Sequence, residues 1–215
     1  MLIDGKTISQ QFEKGIWKAY RKDIPLDASD LVIGCNSVDV TLGNRILRPD
    51  ASLPVNPLAD QVHLHWDEWK PTKQNEFYML PGDFVLGSVQ ERFDVAEPVD
   101  IDFYEQIRCA EHTSMSKGHR IPFYVVPVID GRSSLARLGL AVHITAGQGD
   151  YGFDGQFTLE LVNHSKMMIV LTVGMRIAQV SFHTVTPGIV DRRYHGAYDK
   201  QHDGPLPPKL GADRF

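Results

Sequence analysis

The sequence has 215 residues, of which 42% are hydrophobic and 23% are charged, and its formal net charge is −5. This apolar fraction is enough for a hydrophobic core and argues against a disordered chain. The negative charge argues against nucleic-acid binding through a basic surface. The longest strongly apolar run, Met167 to Val173, is far shorter than the roughly 20 residues of a membrane-spanning helix.

These limits predict a single domain over residues 1–215, without a membrane or nucleic-acid partner. Two cysteines are too few for a disulfide framework, and the N-terminus lacks the apolar core of a signal peptide, which favours a cytoplasmic location. Cys109-Ala110-Glu111 has no Pro-Cys-x-x-Cys motif after it, and His63-Leu64-His65 has no evident third ligand. No tightly held metal, and no zinc, is therefore predicted.

One amphipathic helix is predicted at the start of the chain. Its apolar residues recur at near-helical spacing: Ile8, Phe12, Ile16 and Trp17. Thr7 is the candidate N-cap, and the helix is expected to end near Tyr20, before Pro25.

Short β-branched or alternating runs, separated by Gly, Pro and Asn, dominate from residue 31 onwards. The predicted strands are residues 31–33, 37–42, 84–89, 123–129, 140–145, 157–162, 167–173 and 176–182. This pattern favours a mainly β fold with a few short helices, in a β-sandwich, a jelly roll or a distorted barrel.

Three segments depart from the strand pattern. Residues 49–75 are predicted to form a long surface excursion, and residues 103–112 a possible helix that a polar loop, 114–119, follows. Residues 186–215 contain four Gly and four Pro and no sustained apolar periodicity. This tail is expected to lie over another part of the protein or to be mobile.

The densest group of chemically useful side chains lies between Asp130 and Leu140. If a helical turn begins near Ser133, then Ser133 and Arg137 share one face of it. Hydroxyl groups and the guanidinium groups of Arg132 and Arg137 would then suit a polyphosphate. A short surface helix with two solvated arginines fits the same spacing, so the residues alone leave both interpretations open.

A glycine-rich hairpin and the strand after it supply two carboxylates. Four glycines in residues 147–155 predict a hairpin whose backbone can approach a ligand, with Asp150 near its tip. In the next strand apolar residues occupy one face, so Thr158 and Glu160 point the other way. Glu160 is a candidate general base if its pocket excludes water. A turn aspartate and an exposed strand glutamate are the simpler alternatives.

Five segments in order resemble the dCTP deaminase family, within the dCTP deaminase/dUTPase superfamily. They are residues 37–43, 80–88, 131–140, 158–163 and 174–179. The similarity covers most of the chain, from the predicted N-terminal helix to Gly204-Pro205. Its most specific parts are the Arg-Ser-Ser-Leu-Ala-Arg and Thr-Leu-Glu-Leu segments.

The resemblance implies a dUTPase-like, distorted jelly-roll or β-barrel subunit in a homotrimer whose subunits share active sites. It implies zinc-independent hydrolysis of dCTP to dUTP and ammonia, with Mg²⁺ arriving on the nucleotide triphosphate. Glu160 matches the general base of the family. Ser133 and Arg137 match residues that position the water and stabilise the charge of the tetrahedral state.

The resemblance assigns further residues to nucleotide binding. The backbone near Thr145 and Ala146 would hold the water and the pyrimidine edge, and Arg132 and Ser134 match a phosphate-binding part. Asp150 matches a deoxyribose contact. The other residues implied to contact the nucleotide are Phe153, Thr158, Tyr194, Tyr198 and Gln201. The last three belong to residues 186–215, which are expected to cover the bound nucleotide.

The sequence also departs from the family pattern. Ala197 stands where many members have a phosphate-binding lysine, and one extra residue precedes Gly204. Lys200 or Lys209 is available to supply the missing charge. An extra segment, about residues 96 to 121, precedes the 131–140 turn.

Other functions remain open at this point. A bifunctional enzyme that forms dUMP and diphosphate would keep both Glu160 and Asp150. A dUTPase normally has an apolar or small residue in place of Glu160 and a Gly-rich tail that this chain lacks. A non-catalytic nucleotide-binding relative would have no need of Ser133, Arg137 and Glu160 together.

Overall fold

Strands dominate the parts of the chain that the computed structural model describes, which are residues 1–50, 65–101, 121–185 and 193–209. The helices are α1 (Gly5–Glu13) and α2 (Ser133–Ala136), with a 3-10 turn at Ala28–Asp30. The strands are β1 (Lys18–Arg21), β2 (Ile24–Leu26), β3 (Val32–Ile33), β4 (Ser37–Thr41), β5 (Ile46–Pro49), β6 (Trp66–Trp69), β7 (Glu76–Met79), β8 (Phe84–Asp94), β9 (Val99–Ile101), β10 (Ile121–Gly131), β11 (Leu140–Ala141), β12 (Asp154–Asn163), β13 (Ile169–Thr172) and β14 (Arg176–Val185).

Most strands belong to two antiparallel sheets. The larger sheet has the order β11-β12-β8-β1-β2, and β5 joins it by pairing with β8 and with β6. The second sheet has the order β3-β4-β14-β10-β9, while β7 and β13 form a separate pair. The predicted mainly β fold is confirmed. Within the described residues the sheets form a jelly-roll-like sandwich and do not close into a barrel.

An aromatic cluster joins α1 to both sheets. Phe12 on α1 and Phe182 on β14 each contact both Trp17 and Phe93 of β8, and the ring centroids of the paired side chains are 4.8 to 6.4 Å apart. All four side chains are buried. Since each close aromatic pair contributes roughly 0.5–1.5 kcal/mol beyond the burial of its surface, this cluster fixes the spacing of the two sheets.

The N-terminal helix is shorter than the sequence predicted. Asp4, not Thr7, is its N-cap, because the Asp4 carboxylate accepts hydrogen bonds from Thr7 N at 3.0 Å and Thr7 Oγ1 at 2.8 Å. Burial alone would raise the pKa of Asp4, but these hydrogen bonds bring it below its ordinary value. The predicted end near Tyr20 is wrong, since the chain leaves the helix before Gly15, which has a φ of 65°.

The predicted strands are present, with different ends. The strand predicted at 84–89 continues to Asp94, the one at 123–129 continues to Gly131, and the one at 140–145 ends at Ala141. The excursion predicted at 49–75 is wrong in part, because β6 pairs with β5. Residues 51–64, the possible helix at 103–112 and the loop at 114–119 lie outside the described residues.

A buried carboxylate links three strands of the sandwich. Glu91 on β8 is 1% exposed and accepts hydrogen bonds from Thr41 N and Thr41 Oγ1, each at 2.8 Å. It also forms an ion pair with Arg21 Nη2 at 2.7 Å. Strands β1, β4 and β8 therefore meet at one charged side chain whose hydrogen-bonding capacity is used within the protein.

We expect Glu91→Ala to lower the free energy of unfolding by about 2–4 kcal/mol, because Thr41 loses its buried acceptor and Arg21 its partner. Urea denaturation at a fixed protein concentration measures this change. The matched control is Glu13→Ala, since Glu13 is exposed and its carboxylate accepts a hydrogen bond from Ser9 Oγ at the protein surface. Equal unfolding midpoints for the two variants would contradict the role of Glu91.

Candidate active site

Strand β12 carries Glu160 on the face turned away from the core. Burial alternates along this strand, with Phe157, Leu159 and Leu161 buried and Thr158 and Glu160 half-buried on the opposite face. This alternation is the one that the sequence predicted. A carboxylate on a paired strand is held more rigidly than one on a loop, which suits a residue that must meet a substrate in one orientation.

The surroundings of Glu160 orient its carboxylate. Glu160 Oε2 accepts a hydrogen bond from Ile144 N at 3.2 Å. In the ladder between β12 and β8 the residue opposite Glu160 is Leu86, which is 5% exposed. The carboxylate therefore lies between a backbone amide and an apolar neighbour, a setting in which it can accept and return a proton.

Glu160 faces a cleft of about 510 Å³, a typical size for a small-molecule site. Residues of β8, β12, the hairpin before β12 and the C-terminal segment line the cleft. The predicted site residues that line it are Ala146, Asp150, Phe153, Thr158, Glu160, Tyr194, Tyr198 and Gln201. The structure thus brings together residues that are up to 55 positions apart in the chain, from 146 to 201.

The glycine-rich hairpin lies tightly against β10. Gly147 O accepts a hydrogen bond from Ile129 N at 2.7 Å, and Gly149 N donates to Pro127 O at 2.8 Å. A Cβ on Gly147 would lie 2.7 Å from Ile129 O, so this position has no room for a side chain. The contact holds Ala146 and Asp150 at the edge of the cleft. Thr145 is exposed in the same loop and is not among the lining residues.

Aromatic side chains form one wall of the cleft. The ring of Phe153 lies 5.2 Å from that of Phe157 and 6.0 Å from that of Tyr194. Tyr194 N donates to Tyr151 O at 2.8 Å, which ties this part of the tail to the hairpin. Burial raises the pKa of Tyr151, so its hydroxyl stays protonated near neutral pH. Flat apolar faces of this kind suit a nucleobase or a sugar ring.

The described part of the tail, residues 193–209, lies against β12 at the cleft. Tyr194, Tyr198, Gln201, Leu206 and Pro208 all contribute to the lining. Lys200 and Lys209 are the two candidates to supply the charge that is missing at position 197. Lys209 contacts this position. Its Nζ donates to Ala197 O and lies 5.6 Å from the centre of the Tyr198 ring.

The Arg-Ser-Ser segment lies apart from the cleft. Helix α2 confirms the predicted helical turn, since Arg137 N donates to Ser133 O at 3.1 Å. Ser133, Ser134 and Arg137 are exposed, and none of them is among the described residues that line the cleft. Within one chain, the cleft that Glu160 faces is therefore lined without Ser133 and Arg137.

Arg132 has a partner on the second sheet. Its guanidinium forms an ion pair with the carboxylate of Asp39, and Arg176 Nη1 lies 3.2 Å from the other oxygen of the same carboxylate. Asp39 on β4 thereby holds Arg176, at the start of β14, and Arg132, which follows β10 and precedes α2. No pattern in the sequence predicted this arrangement.

Sequence reasoning missed part of the cleft. The lining residues that it did not single out include Trp66, Phe84, Leu86, Gln148, Gln156, Leu206 and Pro208. The sequence could have identified Gln156 as a lining residue, because Gln156 alternates with Thr158 and Glu160 along one face of the strand. No sequence pattern could have identified Trp66, since its position depends on the pairing of β6 with β5.

The described residues contain no group of three or more His, Cys, Asp and Glu side chains that could hold a metal ion. His65 is exposed and lies 3.2 Å from Asp67, and Cys35 is exposed as well. His63 and Cys109 lie outside the described residues. Among the helices in the described ranges, none has the length and apolar character needed to cross a membrane.

Comparisons with known proteins agree with this architecture. Residues 117–185 match a family model described as dCTP deaminase-like. The "dCTP deaminase, dUMP-forming" of Halobacterium salinarum is 36% identical over 196 residues, 88% of this chain and 87% of that protein. The protein of the same name from Dictyoglomus turgidum is 33% identical over 224 residues, 99% of this chain and 96% of that protein.

A solved structure shares the fold. The 2′-deoxycytidine 5′-triphosphate deaminase of Agrobacterium tumefaciens superposes with a TM-score of 0.53 at 18% identity. The match covers 86% of this chain and 48% of that chain, and at this identity it supports the fold alone. Together with the two relatives, which match along most of their own length, these similarities establish that the chain belongs to the dCTP deaminase family of enzymes.

Proposed function

We propose that this protein deaminates dCTP by hydrolysis, with Glu160 as the general base. The observation that carries the proposal is the position of Glu160. Its carboxylate is held by Ile144 N in a cleft of about 510 Å³ with an aromatic wall. The names of the relatives in the same family supply the substrate class.

The proposed reaction is a hydrolysis at C4 of the cytosine ring. Glu160 takes a proton from a water molecule as the water oxygen attacks C4, and it passes this proton to N3 of the ring. The carboxylate then takes the proton of the new C4 hydroxyl and gives it to the amino group, so ammonia departs, C4 keeps the oxygen as a carbonyl, and N3 keeps its proton. Glu160 ends the cycle as a carboxylate, so dCTP and water give dUTP and ammonia. The backbone of Thr145 and Ala146 would hold the attacking water and the edge of the pyrimidine.

The remaining lining residues suit the rest of the nucleotide. Phe153 and Tyr194 offer ring faces to the base and sugar, and Asp150 can accept a hydrogen bond from the deoxyribose hydroxyl. In this proposal Tyr198 and Lys209 face the phosphate end of the substrate. Mg²⁺ enters as part of the substrate, bound to the triphosphate, and no zinc takes part.

The charge of the cleft favours a site that two chains share. Its described lining contains two carboxylates, Asp150 and Glu160, and no Lys or Arg. A triphosphate needs positive partners, and exposed Arg137 and half-buried Arg132 lie at α2, outside the cleft. We infer that α2 of a neighbouring chain in a homotrimer brings Ser133 and Arg137 to Glu160, and Arg132 and Ser134 to the phosphates. Arg137 would stabilise the charge of the tetrahedral state.

A second candidate is a bifunctional reaction that releases dUMP and diphosphate. The relatives from Halobacterium salinarum and Dictyoglomus turgidum both carry the words "dUMP-forming" in their names. Asp150 lines the same cleft as Glu160, so a second carboxylate is available near the sugar and phosphate end of the nucleotide.

We expect Glu160→Gln to lower the turnover of dCTP by at least about three orders of magnitude, because the amide cannot take a proton from water. Ammonia release from dCTP in the presence of Mg²⁺ measures the effect. Glu13→Gln, a change of the same type at an exposed position of α1, should keep wild-type turnover. Retention of more than a tenth of the activity in Glu160→Gln would rule out Glu160 as the base.

The products distinguish the two candidate reactions. Chromatography of a completed dCTP reaction should show dUTP in an amount equal to the ammonia released. Formation of dUMP and diphosphate instead would establish the bifunctional reaction. Conversion of dUTP to dUMP with dCTP left intact would show that the protein is a dUTPase and would overturn both.

The shared site predicts complementation between two inactive chains. In trimers assembled from equal amounts of Glu160→Gln and Arg137→Gln chains, about one quarter of the sites would combine an intact Glu160 with an intact Arg137 from the neighbour. Turnover should therefore recover to about one quarter of the wild-type value after coexpression.

The control for complementation is a mixture of the two variants purified separately and assayed at once. Light scattering should give a mass near three times the 24.2 kDa of one chain. Coexpressed chains with no more activity than either variant alone would show that Glu160 and Arg137 do not meet across an interface.

A further inference from the structure

Asp150 and Phe153, which both line the cleft, are the two ends of one β-turn. Phe153 N donates to Asp150 O at 3.0 Å and closes the turn. Of its two central residues, Tyr151 and Gly152, only Gly152 has a positive φ, 77°, which identifies a type II turn. Within the described ranges, no hydrogen bond or ion pair holds the exposed carboxylate of Asp150, so the backbone of the turn sets its position.

The side chain of Tyr151 points away from the cleft and into the protein. It is 8% exposed, and it is not among the described residues that line the cleft. Its ring meets that of Tyr124 on β10 edge to face, with the centroids 5.1 Å apart and the planes at 77°. Its hydroxyl donates to Ala96 O at 3.3 Å. The second residue of the turn is therefore held both through its ring and through its hydroxyl.

Ala96 lies in the connection between β8 and β9, and the core holds this connection in place. The next carbonyl along the chain, Glu97 O, accepts a hydrogen bond from Trp17 Nε1 at 3.2 Å. Trp17 is 1% exposed and belongs to the aromatic cluster that joins α1 to both sheets. Val99, at the start of β9, is fully buried. The hydroxyl of Tyr151 thus binds a segment that is itself fixed.

We propose that Tyr151 is a positioning residue for the sugar contact of Asp150. Its hydroxyl fastens the turn to the connection after β8, and the fastened turn holds the carboxylate where it can accept a hydrogen bond from the deoxyribose hydroxyl. The sugar contact rests on the proposed function, whereas the anchor of the turn does not. Loss of the anchor should weaken the recognition of one hydroxyl group of the substrate and leave the proton transfers at Glu160 unchanged.

Hydrogen exchange measures the anchor without any nucleotide. Tyr151→Phe keeps the ring and removes the donor, so we expect the amide of Phe153 to exchange about fivefold faster than in the wild type. Mass spectrometry of peptides that cover this turn follows the exchange. Tyr78→Phe is the matched control, since Tyr78 lies exposed on β7 and its hydroxyl donates to Glu76 Oε2 at 2.7 Å. Equal exchange at Phe153 in the two variants would overturn the proposal.

A substrate analogue tests the sugar contact. 2′,3′-Dideoxycytidine triphosphate lacks the hydroxyl group from which Asp150 would accept a hydrogen bond. We expect Tyr151→Phe to raise the KM for dCTP about fivefold with kcat within about twofold of the wild type, and to change the KM for the dideoxy nucleotide by less than about twofold. A residue that only supports the fold would impair both nucleotides alike. An equal rise of KM for the two nucleotides would therefore contradict the proposal.

A double variant tests whether Tyr151 acts through Asp150. Asp150→Ala removes the carboxylate, so adding Tyr151→Phe to it should raise the KM for dCTP by no more than about twofold. Independent effects would multiply instead. A further rise of about fivefold in the Asp150→Ala background would show that Tyr151 acts on another part of the site, and the proposal would be wrong.

The sugar contact and the proposed deamination can fail independently. If the wild-type protein releases no ammonia from dCTP, the proposed deamination is overturned. Calorimetric binding of dCTP and of its dideoxy analogue to the wild type and to Tyr151→Phe then decides the sugar contact by the same comparison. Normal deamination with the same KM for dCTP in the wild type and in Tyr151→Phe would support the proposed function and overturn the role of Tyr151. A protein that binds neither nucleotide would overturn both.

Discussion

The pairing of β12 with β8 is the constraint on which the site depends. Leu159 and Leu161 are fully buried and lie opposite Gly87 and Val85, so their packing fixes the register of the two strands. Because side chains alternate with a period of two, a slip of one residue would turn Glu160 into the apolar core. The position of the carboxylate is therefore stabilised by the hydrophobic core on the opposite face of the strand.

The cleft combines a floor of paired strands with a cover attached mainly by hydrogen bonds. The floor consists of paired strands, and the buried aromatic cluster lies between their sheet and the second sheet. The hairpin of residues 143–153 packs against β10 through Gly147 and Gly149. The tail, in contrast, is held mainly by hydrogen bonds to the edge of β12. Elements with few buried apolar contacts open at the lowest free-energy cost, so the tail is the part suited to admit a substrate.

Local patterns in the sequence predicted the fold better than the site. Alternation along β12 gave the correct face for Glu160 and Thr158, and the helical turn at Ser133 followed from spacing. The end of α1 was missed because Ile16 and Trp17 continue the apolar pattern beyond the helix, where Gly15 has already turned the chain. Trp66 and the Asp39 pairing with Arg132 depend on strands far apart in sequence, which no local pattern encodes. The resemblance to a family, not periodicity, singled out the tail residues.

Under the proposed reaction, the distribution of charge leaves one chain with an incomplete site. The described cleft lining carries two carboxylates, which repel a triphosphate. Arg132 and Arg137, on either side of α2, are not part of this lining, and Arg132 is paired with Asp39. Under the proposed reaction the cations must therefore come from three sources: the Mg²⁺ on the substrate, Lys209 of the tail, and α2 of a neighbour. A base that meets its stabilising arginine only across an interface makes turnover conditional on assembly.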